Sequence, residues 1–575
     1  MCVMGMVGSG VPAAAESITE MAVRSPTIMR QSVSAPGYQD QQVVEPNSLP
    51  ATNGLALDAQ GRLFVAQAFF NRVTRVDLAS RQLTRIADDT DPTTDQTHTP
   101  DDLTIGPDGN LYFTSVFTKS VVRMPLDGGN HTTVGTAITD GATGPNGIAF
   151  RGDRLYVSDL QFAPGSTGSL WAVDPAGVVP AIPVVRGLEV PEGFAFASDG
   201  LAYVPEMYAR RIAVANVDTG QVTRLGVSFD TPVTAVKVVP PQIDPAEPLI
   251  VLEAGSGKVW KVSRSATAPS DKTLIGQGEP GLDNVVIAGD GTMYVSNFVR
   301  GDVRRVDVST RELVPVLRAG PLSAPVSLNS TGDGGFVAGD MVSVVSIHSN
   351  GQVERLSRFA LDSVQTITPS AVRIGQDVYL TDWLTTGKIT RLNLDTGSRA
   401  TVAQGFVAPW HVRQGPIGML LVADQGLGSV LSVRIDGGSS VPVPIMEGFR
   451  SVGGLAFDAS KGVVYASDSD SGTVLSAPVS GGAPTIVATG LAIPEGVAVD
   501  QDGSLLVAEA GAGRITRINP TSGARSTVAS GFQMNVRGIT TLPFLNYTAD
   551  VAIPVPGTIV LSNPADGSVT KLVAR

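Results

Sequence analysis

Short runs of alternating apolar and polar residues recur along most of the chain. Runs such as LYFTS, MYVSN and LLVAE have the period of two that is typical of strands with one buried face. Turns such as Pro107-Asp108-Gly109 and Gln501-Asp502-Gly503 separate neighbouring runs. No long segment has the 3.6-residue period of a helix. The pattern therefore predicts an all-β protein.

The strands belong to a repeat of about 43 residues, and each copy contains four short strands. Clear copies begin at Asn53, Asp101, Asn146, Glu192, Asp283, Gly453 and Glu495, and weaker copies begin near Thr234, Val326, Ser370, Trp410 and Arg537. Four antiparallel strands per repeat are typical of a β-propeller blade. Twelve blades exceed the ~4–8 of one ordinary ring. We therefore expect two six-bladed β-propellers in tandem.

The repeats divide the chain into three segments. Residues 46–320 are expected to form the first propeller and residues 321–575 the second. The last repeat, GTIVLSNPADGSVTKLVAR, supplies a second and a third strand but no fourth, while residues 27–44 contain no repeat. We therefore expect the N-terminal tail, residues 1–45, to supply the outer strand of the last blade.

The first 15 residues are uncharged and apolar and end in a run of small residues. They resemble the apolar region and cleavage site of a secretory signal, although the basic start of such a signal is missing. We expect a secreted or periplasmic protein, with the cytoplasm as the alternative. No run of 18 or more apolar residues predicts a transmembrane segment.

Composition excludes several function classes. The chain is 42% hydrophobic and can bury a sizeable core, and its 41 Lys and Arg against 53 Asp and Glu give a net charge of −12. An acidic chain without a basic cluster is not expected to bind nucleic acid. Cys2 is the only cysteine, so neither an intrachain disulfide nor a multi-cysteine zinc site is expected. No nucleotide, nicotinamide or serine-hydrolase motif is present.

The first strand of each blade is the innermost, so the two residues at its start, here called the starting pair, are expected to line the channel. The first-half pairs are Asn53-Gly54, Asp101-Asp102, Asn146-Gly147, Glu192-Gly193, Thr234-Ala235 and Asp283-Asn284. The second-half pairs are Val326-Ser327, Ser370-Ala371, Trp410-His411, Gly453-Gly454, Glu495-Gly496 and Arg537-Gly538. Five first-half pairs carry a carboxylate or an amide. The second half offers only Glu495 beside Arg537, expected to be a structural ion pair, and we interpret Trp410-His411 as a packed aromatic pair.

The first-half pairs predict a metal site. Its carboxylates would be Glu192, Asp283 and one of Asp101 or Asp102, and its amides would be Asn53, Asn146 and Asn284. Two like charges ~4 Å apart repel by ~4 kcal/mol at an effective dielectric constant of ~20. Either the carboxyl pKa values rise or a cation lies between these groups. Ca²⁺ takes ~6–8 oxygen ligands and suits such a ring, with Mg²⁺ as the alternative.

Two alternatives stay open at this stage. Asn and Glu at such turns also occur in purely structural repeats, where the side chain ties the turn to the backbone. The sequence also leaves open whether Asp101 or Asp102 faces the channel, because a slip of one residue exchanges the two.

The unit Pro-x-Gly-[IL]-Ala followed by Asp-Gly-x-[LM]-Tyr-Val resembles the repeats of NHL propellers and of the senescence marker protein/gluconolactonase family. Paraoxonase-like and diisopropyl-fluorophosphatase-like hydrolases belong to the same larger class of six-bladed rings. The resemblance runs from Asn53 onward, and much of it is blade-building consensus. It implies the fold strongly, whereas function has to be argued from the site.

The order of polar residues around the first ring is also similar to that of the metal-dependent hydrolases, after circular permutation. By this resemblance Glu192, Asn284, Asn53 and one of Asp101 or Asp102 would be metal ligands, and Asn146 is an additional donor. The aspartate, or a water that it activates, would be the base or nucleophile. His98 lies three residues before Asp101 and is a candidate general base or proton shuttle.

Three functions follow from these residues. The leading one is a calcium-dependent hydrolase of gluconolactonase or paraoxonase type that acts on a lactone or related ester. The second is a non-catalytic double propeller that binds a protein or glycan through loops such as residues 161–168 or 240–247. The third is a lyase resembling virginiamycin B lyase, suggested by the run GPDGNLYFT, which would need His98 or His411 near magnesium. The substrate, the oligomeric state and the angle between the rings do not follow from the sequence.

Overall fold

The computed structural model describes residues 33–34, 37–88, 98–139, 141, 144–161, 167–317, 320–358, 367–383, 386–436, 440–532, 534 and 549–575. These residues form β-strands and three single-turn 3-10 helices, Ala68–Phe70, Ala510–Ala512 and Pro564–Asp566, and no α-helix. The predicted all-β class is confirmed. Among the same residues, no helix has the length and apolar character needed to cross a membrane.

The first half of the chain contains six four-stranded antiparallel sheets, numbered 1 to 6. Sheet 1 contains β3 Thr52–Leu57, β4 Arg62–Gln67, β5 Arg72–Asp77 and β6 Leu83–Asp88, and sheet 2 contains β7 Pro100–Ile105, β8 Asn110–Ser115, β9 Ser120–Pro125 and β10 Thr132–Gly135. Sheet 3 contains β11 Pro145–Arg151, β12 Arg154–Asp159, β13 Gly168–Val173 and β14 Ile182–Leu188, and sheet 4 contains β15 Ala195–Phe196, β16 Ala202–Glu206, β17 Arg211–Ala215 and β18 Val222–Ser228. Sheet 5 contains β19 Val233–Val238, β20 Leu249–Glu253, β21 Lys258–Val262 and β22 Lys272–Gln277, and sheet 6 contains β23 Leu282–Ile287, β24 Met293–Asn297, β25 Asp302–Asp307 and β26 Glu312–Leu317. One parallel pairing between Gln277 and Glu312 joins the outer strands of sheets 5 and 6.

The second half contains sheets 7 to 12. Sheet 7 contains β27 Ser327–Ser330, β28 Phe336–Gly339, β29 Ser343–Ile347 and β30 Val353–Arg358, and sheet 8 contains β31 Ala371–Ile374, β32 Asp377–Asp382, β33 Lys388–Asn393 and β34 Arg399–Gln404. Sheet 9 contains β35 Pro409–Gln414, β36 Met419–Asp424, β37 Ser429–Arg434 and β38 Val443–Glu447, and sheet 10 contains β39 Val452–Asp458, β40 Val463–Asp468, β41 Thr473–Pro478 and β42 Thr485–Ala488. Sheet 11 contains β43 Pro494–Val499, β44 Leu505–Glu509, β45 Arg514–Ile518 and β46 Arg525–Ser530, and sheet 12 contains β47 Val551–Ala552, β48 Thr558–Asn563 and β49 Ser568–Ala574.

Two strands near the N-terminus complete the last two sheets. Strand β2, Tyr38–Val44, pairs antiparallel with β49 and is the fourth strand that the last repeat lacks. Strand β1, Val33–Ser34, pairs with β46 and adds a fifth strand to sheet 11. Residues 1–32 of the tail lie outside the described residues.

A β-bulge holds the starting pair in most sheets. In sheet 1, Thr52 pairs with Gln67 and Leu55 pairs with Val65, so three steps along β3 face two steps along β4. The same extra residue occurs at the start of β7, β11, β23, β39 and β43. A bulge takes a residue out of the ladder and redirects its side chain. Both members of a starting pair are therefore free to interact with the pairs of neighbouring sheets.

A hydroxyl on the second strand satisfies the backbone amide that the bulge releases. The amide of Gly147 donates to Ser158 Oγ at 2.8 Å, and that of Gly454 donates to Ser467 Oγ at 2.9 Å. Buried backbone amides need such partners. This role explains the Ser or Thr near the end of runs such as LYVSD and VYASD.

A carboxylate at the end of the second strand, or one residue beyond it, holds the loop that leads into the first strand of the same sheet. Glu253 Oε1 accepts hydrogen bonds from the amides of Asp230 and Thr231, each at 2.7 Å. The same function is served in the second half by Asp340, Asp424, Asp468 and Glu509. These buried carboxylates are structural and repeat with the sheets.

The first strands pack against each other in two closed cycles. In the first half, contacts run from β3 through β7, β11, β15, β19 and β23 and return to β3. In the second half they run from β27 through β31, β35, β39, β43 and β47 and return to β27. Each cycle brings the starting pairs of neighbouring sheets close to one another.

An apolar cluster joins the two halves of the chain. Phe70 and Phe117 of the first half pack against Trp383 and Trp410 of the second, and the two indoles are fully buried with ring centroids 5.4 Å apart. Asn47, 3% exposed, adds polar contacts: its Nδ2 donates to the carbonyls of Arg300, Gly320 and Leu322, and its amide donates to Asp566 O. The halves therefore share a contact that is both apolar and hydrogen-bonded.

Deletion of residues 1–45 is expected to loosen the second half selectively, because it removes the partner of β49. Hydrogen exchange should be at least about tenfold faster in β48 and β49, while β12 and β13 of the first half keep their protection. Peptide-resolved hydrogen–deuterium exchange measures both. Equal losses of exchange protection in the two halves, or unchanged exchange rates in β48 and β49, would contradict the expectation.

Candidate functional site

The first members of the first-half starting pairs form one polar layer, here called the first-member layer. Asp101, 6% exposed, is at its centre: Asn53 Nδ2 donates to Asp101 Oδ1 at 2.7 Å, and Asn146 Nδ2 donates to Asp101 Oδ2 at 2.5 Å. Asn53 and Asn146 are only partly buried. This layer therefore reaches solvent.

The second members form a deeper layer, here called the second-member layer. Asn284 Nδ2 donates to Asp102 Oδ1 at 2.7 Å, and these residues are 3% and 2% exposed. The bond passes over Gly54, where an added Cβ would lie 2.5 Å from the Cα of Asp102. Glycine at this position is therefore what allows Asp102 and Asn284 to meet across sheet 1.

Two further carboxyl groups complete the first-member layer. Burial raises the pKa of Glu192 well above its usual range, and the nearby charges of Asp283, Asp101 and Asp102 raise it further, against a lowering hydrogen bond from Asn146. Burial and the charges of Asp101 and Asp102 likewise raise the pKa of Asp283. These mutual effects bring Glu192, Asp283 and Asp101 together in one electrostatic cluster.

The two neighbouring aspartates have different roles. Asp101 belongs to the first-member layer, and burial together with the charge of Asp102 raises its pKa to about 7. Asp102 belongs to the deeper layer, where burial raises its pKa against the opposing effects of the Lys237 charge and of hydrogen bonds from the Leu103 and Ile148 amides. The two aspartates thus lie in different layers, and Asp101 lies nearer solvent than Asp102.

Asn284 also lies in the deeper layer rather than beside the first-member carboxylates. Its Nδ2 is engaged by Asp102, and its Oδ1 accepts the amide of Val285 at 2.8 Å. Both ends of this side chain are therefore used within the protein. Of the candidate ligands, Asn53, Asp101, Asn146, Glu192 and Asp283 share the first-member layer, whereas Asp102 and Asn284 form the layer beneath it.

His98 packs among aromatic rings. Its ring centroid lies 5.1 Å from that of His131 and 6.0 Å from that of Phe113, and the side chain is buried. Burial, with a smaller effect of His131, lowers the pKa of His98 to about 4. His98 is therefore neutral at pH 7, and its aromatic contacts suit a packed residue.

The second half fills the same layer with different residues. Val326 and Trp410 belong to the apolar cluster between the halves, and Ser370 and Gly453 carry no charge. Glu495, 2% exposed, is the one carboxylate among the described first members of this half, and Ser469 Oγ donates to it at 2.5 Å. The contrast that the sequence predicts between the two halves is therefore present in the structure.

The twelfth starting pair differs from the sequence expectation. Strand β47 begins at Val551, so the pair is Ala549-Asp550 and not Arg537-Gly538. Arg537 lies outside the described residues, and so does its expected ion pair with Glu495. Asp550 is fully buried and pairs with Arg413, whose Nη2 lies 2.5 Å from Asp550 Oδ2. A cation of the protein therefore neutralises the deeper carboxylate of the second half.

His411 shows no metal-binding environment. Its ring is 1% exposed, Nε2 lies 3.2 Å from the carbonyl oxygen of Val326, and burial lowers its pKa to about 4. With Trp410 packed on Trp383 beside it, the interpretation of Trp410-His411 as packed residues agrees with these contacts.

The donor chemistry of the first-member layer suits a hard cation. Across the described residues, no three His, Cys, Asp or Glu side chains are grouped closely enough to hold a metal by themselves. The carboxyl groups of Asp101, Glu192 and Asp283 are instead interleaved with the amides of Asn53 and Asn146. A cation would therefore have to draw on amide as well as carboxylate oxygens, and such an all-oxygen set is the one that Ca²⁺ prefers.

Three residues of functional interest escape the sequence reasoning. Tyr208 follows β16, and burial with the charge of Glu192 raises its phenol pKa, which places it within electrostatic reach of the site. Lys237 lies on β19 and acts on Asp102 through its charge. Asp550 follows a long connection without repeat signal. The sequence offers one signal for Lys237: it follows Thr234 by three positions, just as Arg413 follows Trp410 by three positions.

One family model matches the chain. Residues 417–544 match the model described as the SMP-30/Gluconolactonase/LRE-like region, which confirms the resemblance over that region. The match lies in sheets 9 to 11, in the half of the chain that lacks the acidic first-member layer. It therefore reflects blade-building sequence and not the candidate site. No curated protein sequence matches the chain.

Several solved structures are similar at low sequence identity. A provisionally named gluconolactonase is 14% identical, with a TM-score of 0.37 over 50% of this chain and 96% of its own. A streptogramin B lyase is 14% identical, with a TM-score of 0.36 over 52% of this chain and 94% of its own. The extracellular domain of a provisionally named hybrid two-component system from B. thetaiotaomicron is 11% identical, with a TM-score of 0.34 over 91% of this chain and 76% of its own. No functional conclusion follows at these TM-scores.

The raised pKa of Asp101 predicts a loss of stability with rising pH in metal-free protein. Its ordinary value is 3.8 and its folded value about 7, so between these pH values the folded state holds a proton that the unfolded state has lost. This contribution is complete below the lower value and disappears as the pH rises through the higher one, with a slope of at most ~1.4 kcal/mol per pH unit.

Chemical denaturation in chelator at intervals from pH 4 to 8 measures this slope. Asp101→Asn should flatten the profile relative to wild type, because the substituted side chain does not titrate. Asp290→Asn, at an exposed turn of sheet 6, is the matched control and should leave the profile unchanged. Parallel profiles for wild type and Asp101→Asn would show that Asp101 does not carry the effect.

Proposed function

We propose that residues 46–320 and 321–575 form two six-bladed propellers, and that the first is a metal-dependent hydrolase. The two closed cycles of first strands support the architecture. The observation that carries the function is the convergence of Asp101, Glu192 and Asp283 with two amides in one solvent-reaching layer. Perturbed carboxyl groups gathered at a channel mouth are typical of functional sites.

The proposed cation is Ca²⁺, with Mg²⁺ as the alternative. Asn53, Asp101, Asn146, Glu192 and Asp283 would hold it, while Asn284 and Asp102 support them from the deeper layer. When bound, the ion would supply Lewis-acid polarisation of a carbonyl group and stabilise negative charge on its oxygen. The resemblance to gluconolactonases and the buried, mutually repelling carboxyl groups both support this choice.

The proposed reaction is hydrolysis of a small-molecule lactone or related ester. Asp101 accepts a proton from water while the water oxygen bonds to the carbonyl carbon, and it returns this proton to the ester oxygen as the bond between that oxygen and the carbonyl carbon breaks. Asn53 and Asn146 hold the two oxygens of Asp101 and so fix the orientation of this base.

The second propeller is proposed to be a wall and not a second active site. Its first-member layer is occupied by Val326 and Trp410, which are committed to the contact with the first half. Its deeper carboxylate, Asp550, is already neutralised by Arg413. Neither layer offers the open carboxyl groups that the first half presents.

Calcium titration of chelator-stripped protein tests the site. We expect one saturable site in wild type and at least about hundredfold weaker binding for Glu192→Gln and Asp283→Asn, because each removes a charged oxygen ligand. Glu495→Gln changes the one carboxylate among the described first members of the second half and should bind like wild type. Isothermal titration calorimetry and circular dichroism distinguish lost binding from lost folding.

Hydrolysis of an aliphatic lactone and an aryl ester, with calcium or with chelator, tests the reaction. Calcium-dependent turnover that Asp101→Asn reduces by about 10²–10⁴, the usual contribution of general-base catalysis, is the expected result. Calcium binding without turnover would leave the channel metal and remove the hydrolase. The absence of calcium binding in wild type would favour a non-catalytic double propeller that binds a partner.

A further inference from the structure

The deeper layers of the two halves contain equivalent aspartates. The amide of Asp102 donates to Thr114 Oγ1 and that of Asp550 donates to Ser562 Oγ, at 3.0 and 2.8 Å. Each aspartate accepts the amide of the following residue through Oδ1 and an amide of the next sheet through Oδ2, from Ile148 in one half and Leu328 in the other. Sheet 2 therefore corresponds to sheet 12.

The strand opposite each aspartate carries a basic residue at the same register. In β35, Pro409 pairs with the last residue of β36, and Arg413 lies four residues further along β35. In β19, Val233 likewise pairs with the last residue of β20, and Lys237 lies four residues further along β19. Sheets 5 and 9 each lie three sheets from the aspartate around their cycle, so Lys237 and Arg413 both face it across the axis.

The halves differ in what lies between the two charges. In the second half Gly454 leaves the space open, and Arg413 reaches Asp550 directly at 2.5 Å. In the first half Asn284 stands at the corresponding position and occupies Asp102 Oδ1. Lys237 then acts on Asp102 through its charge without taking the place of Asn284.

We propose that Lys237 is the resident counter-cation of the first-half site: it compensates Asp102 from across the axis and thereby sets the affinity of the first-member layer for a divalent ion. Only the second part of this inference, the effect on divalent-ion affinity, rests on the proposed calcium site. Lys237 is a positioning residue, since it touches neither substrate nor the proposed metal ligands in the first-member layer. The second half is its internal precedent, because there the equivalent pair is a direct ion pair.

The sign of its effect separates this role from a merely structural one. Loss of a structural residue weakens ligand binding, whereas loss of a nearby positive charge strengthens binding of a cation. A unit charge ~10 Å from a divalent ion changes its affinity by about fourfold even at the dielectric constant of water, and by more in a buried site. Low ionic strength keeps this interaction unscreened.

Two variants test the proposal at low ionic strength. Lys237→Met removes the charge and keeps most of the apolar stem, and we expect it to bind calcium at least about fourfold more tightly than wild type. Lys237→Arg retains the charge and should bind like wild type. Unchanged or weaker calcium binding by a folded Lys237→Met protein would overturn the role in metal affinity.

A metal-free arm tests the pairing with Asp102 whether or not calcium binds. In chelator, Lys237→Met should lower the melting temperature by about 2–4 °C, because it leaves Asp102 without its compensating charge. The double variant Lys237→Met/Asp102→Asn should melt higher than the sum of the single changes predicts. Additive shifts would overturn the pairing, whereas a wild type that binds no calcium would overturn only the proposed metal function.

Discussion

The packing of the first strands against each other in two closed cycles is the constraint on which the rest of this structure depends. Side chains at the bulged starting pairs contact those of other sheets in the same cycle, so the size and polarity of each residue have to fit the residues around it. Glycine at Gly54, Gly147 and Gly496 is required because an added Cβ would lie within 2.6 Å of the neighbouring sheet. Where a side chain is present at the second position, as at Asp102, its neighbours must be small or hydrogen-bonded to it. Packing and polar chemistry at the axis are therefore one problem.

The two halves solve that problem in different ways. The second half places an arginine against its deeper aspartate and fills the layer nearer solvent with Val326 and Trp410, which suits a contact surface. The first half keeps Asp101, Glu192 and Asp283 in one layer, where burial and the charges of neighbouring aspartates raise their pKa values. Burying several carboxyl groups together costs stability, and groups with such perturbed pKa values are typical of functional sites.

Much of the fold follows from the sequence because each blade repeats a local pattern. The alternating runs, the Ser or Thr of the second strand and the Asp-Gly turns act within about 43 residues, and starting pairs could be read from them. The twelfth pair could not, since its strand β47 has two residues and follows a connection without repeat signal, which made Arg537 a wrong choice for Asp550. The sequence also does not predict that Asp101 and Asp102 lie in separate layers, because the bulge displaces both residues by less than one position of the strand register. The contact between Phe70 and Trp410 depends on the placement of whole sheets and leaves no local pattern.

The pairing of β2 with β49 has a consequence for the order in which the chain matures on the ribosome. The side chain of Gln42 hydrogen-bonds to the carbonyl of Val569, which is made 527 positions later. Sheets 1 to 6 contain only strands that are near neighbours in the chain and can assemble while synthesis continues. Sheet 12 cannot form until β49 has been made, so β2 has no strand partner while sheets 1 to 11 are synthesised. An exposed strand edge of this kind invites association with other nascent chains, so chaperone protection of the N-terminal segment would be a requirement of this architecture.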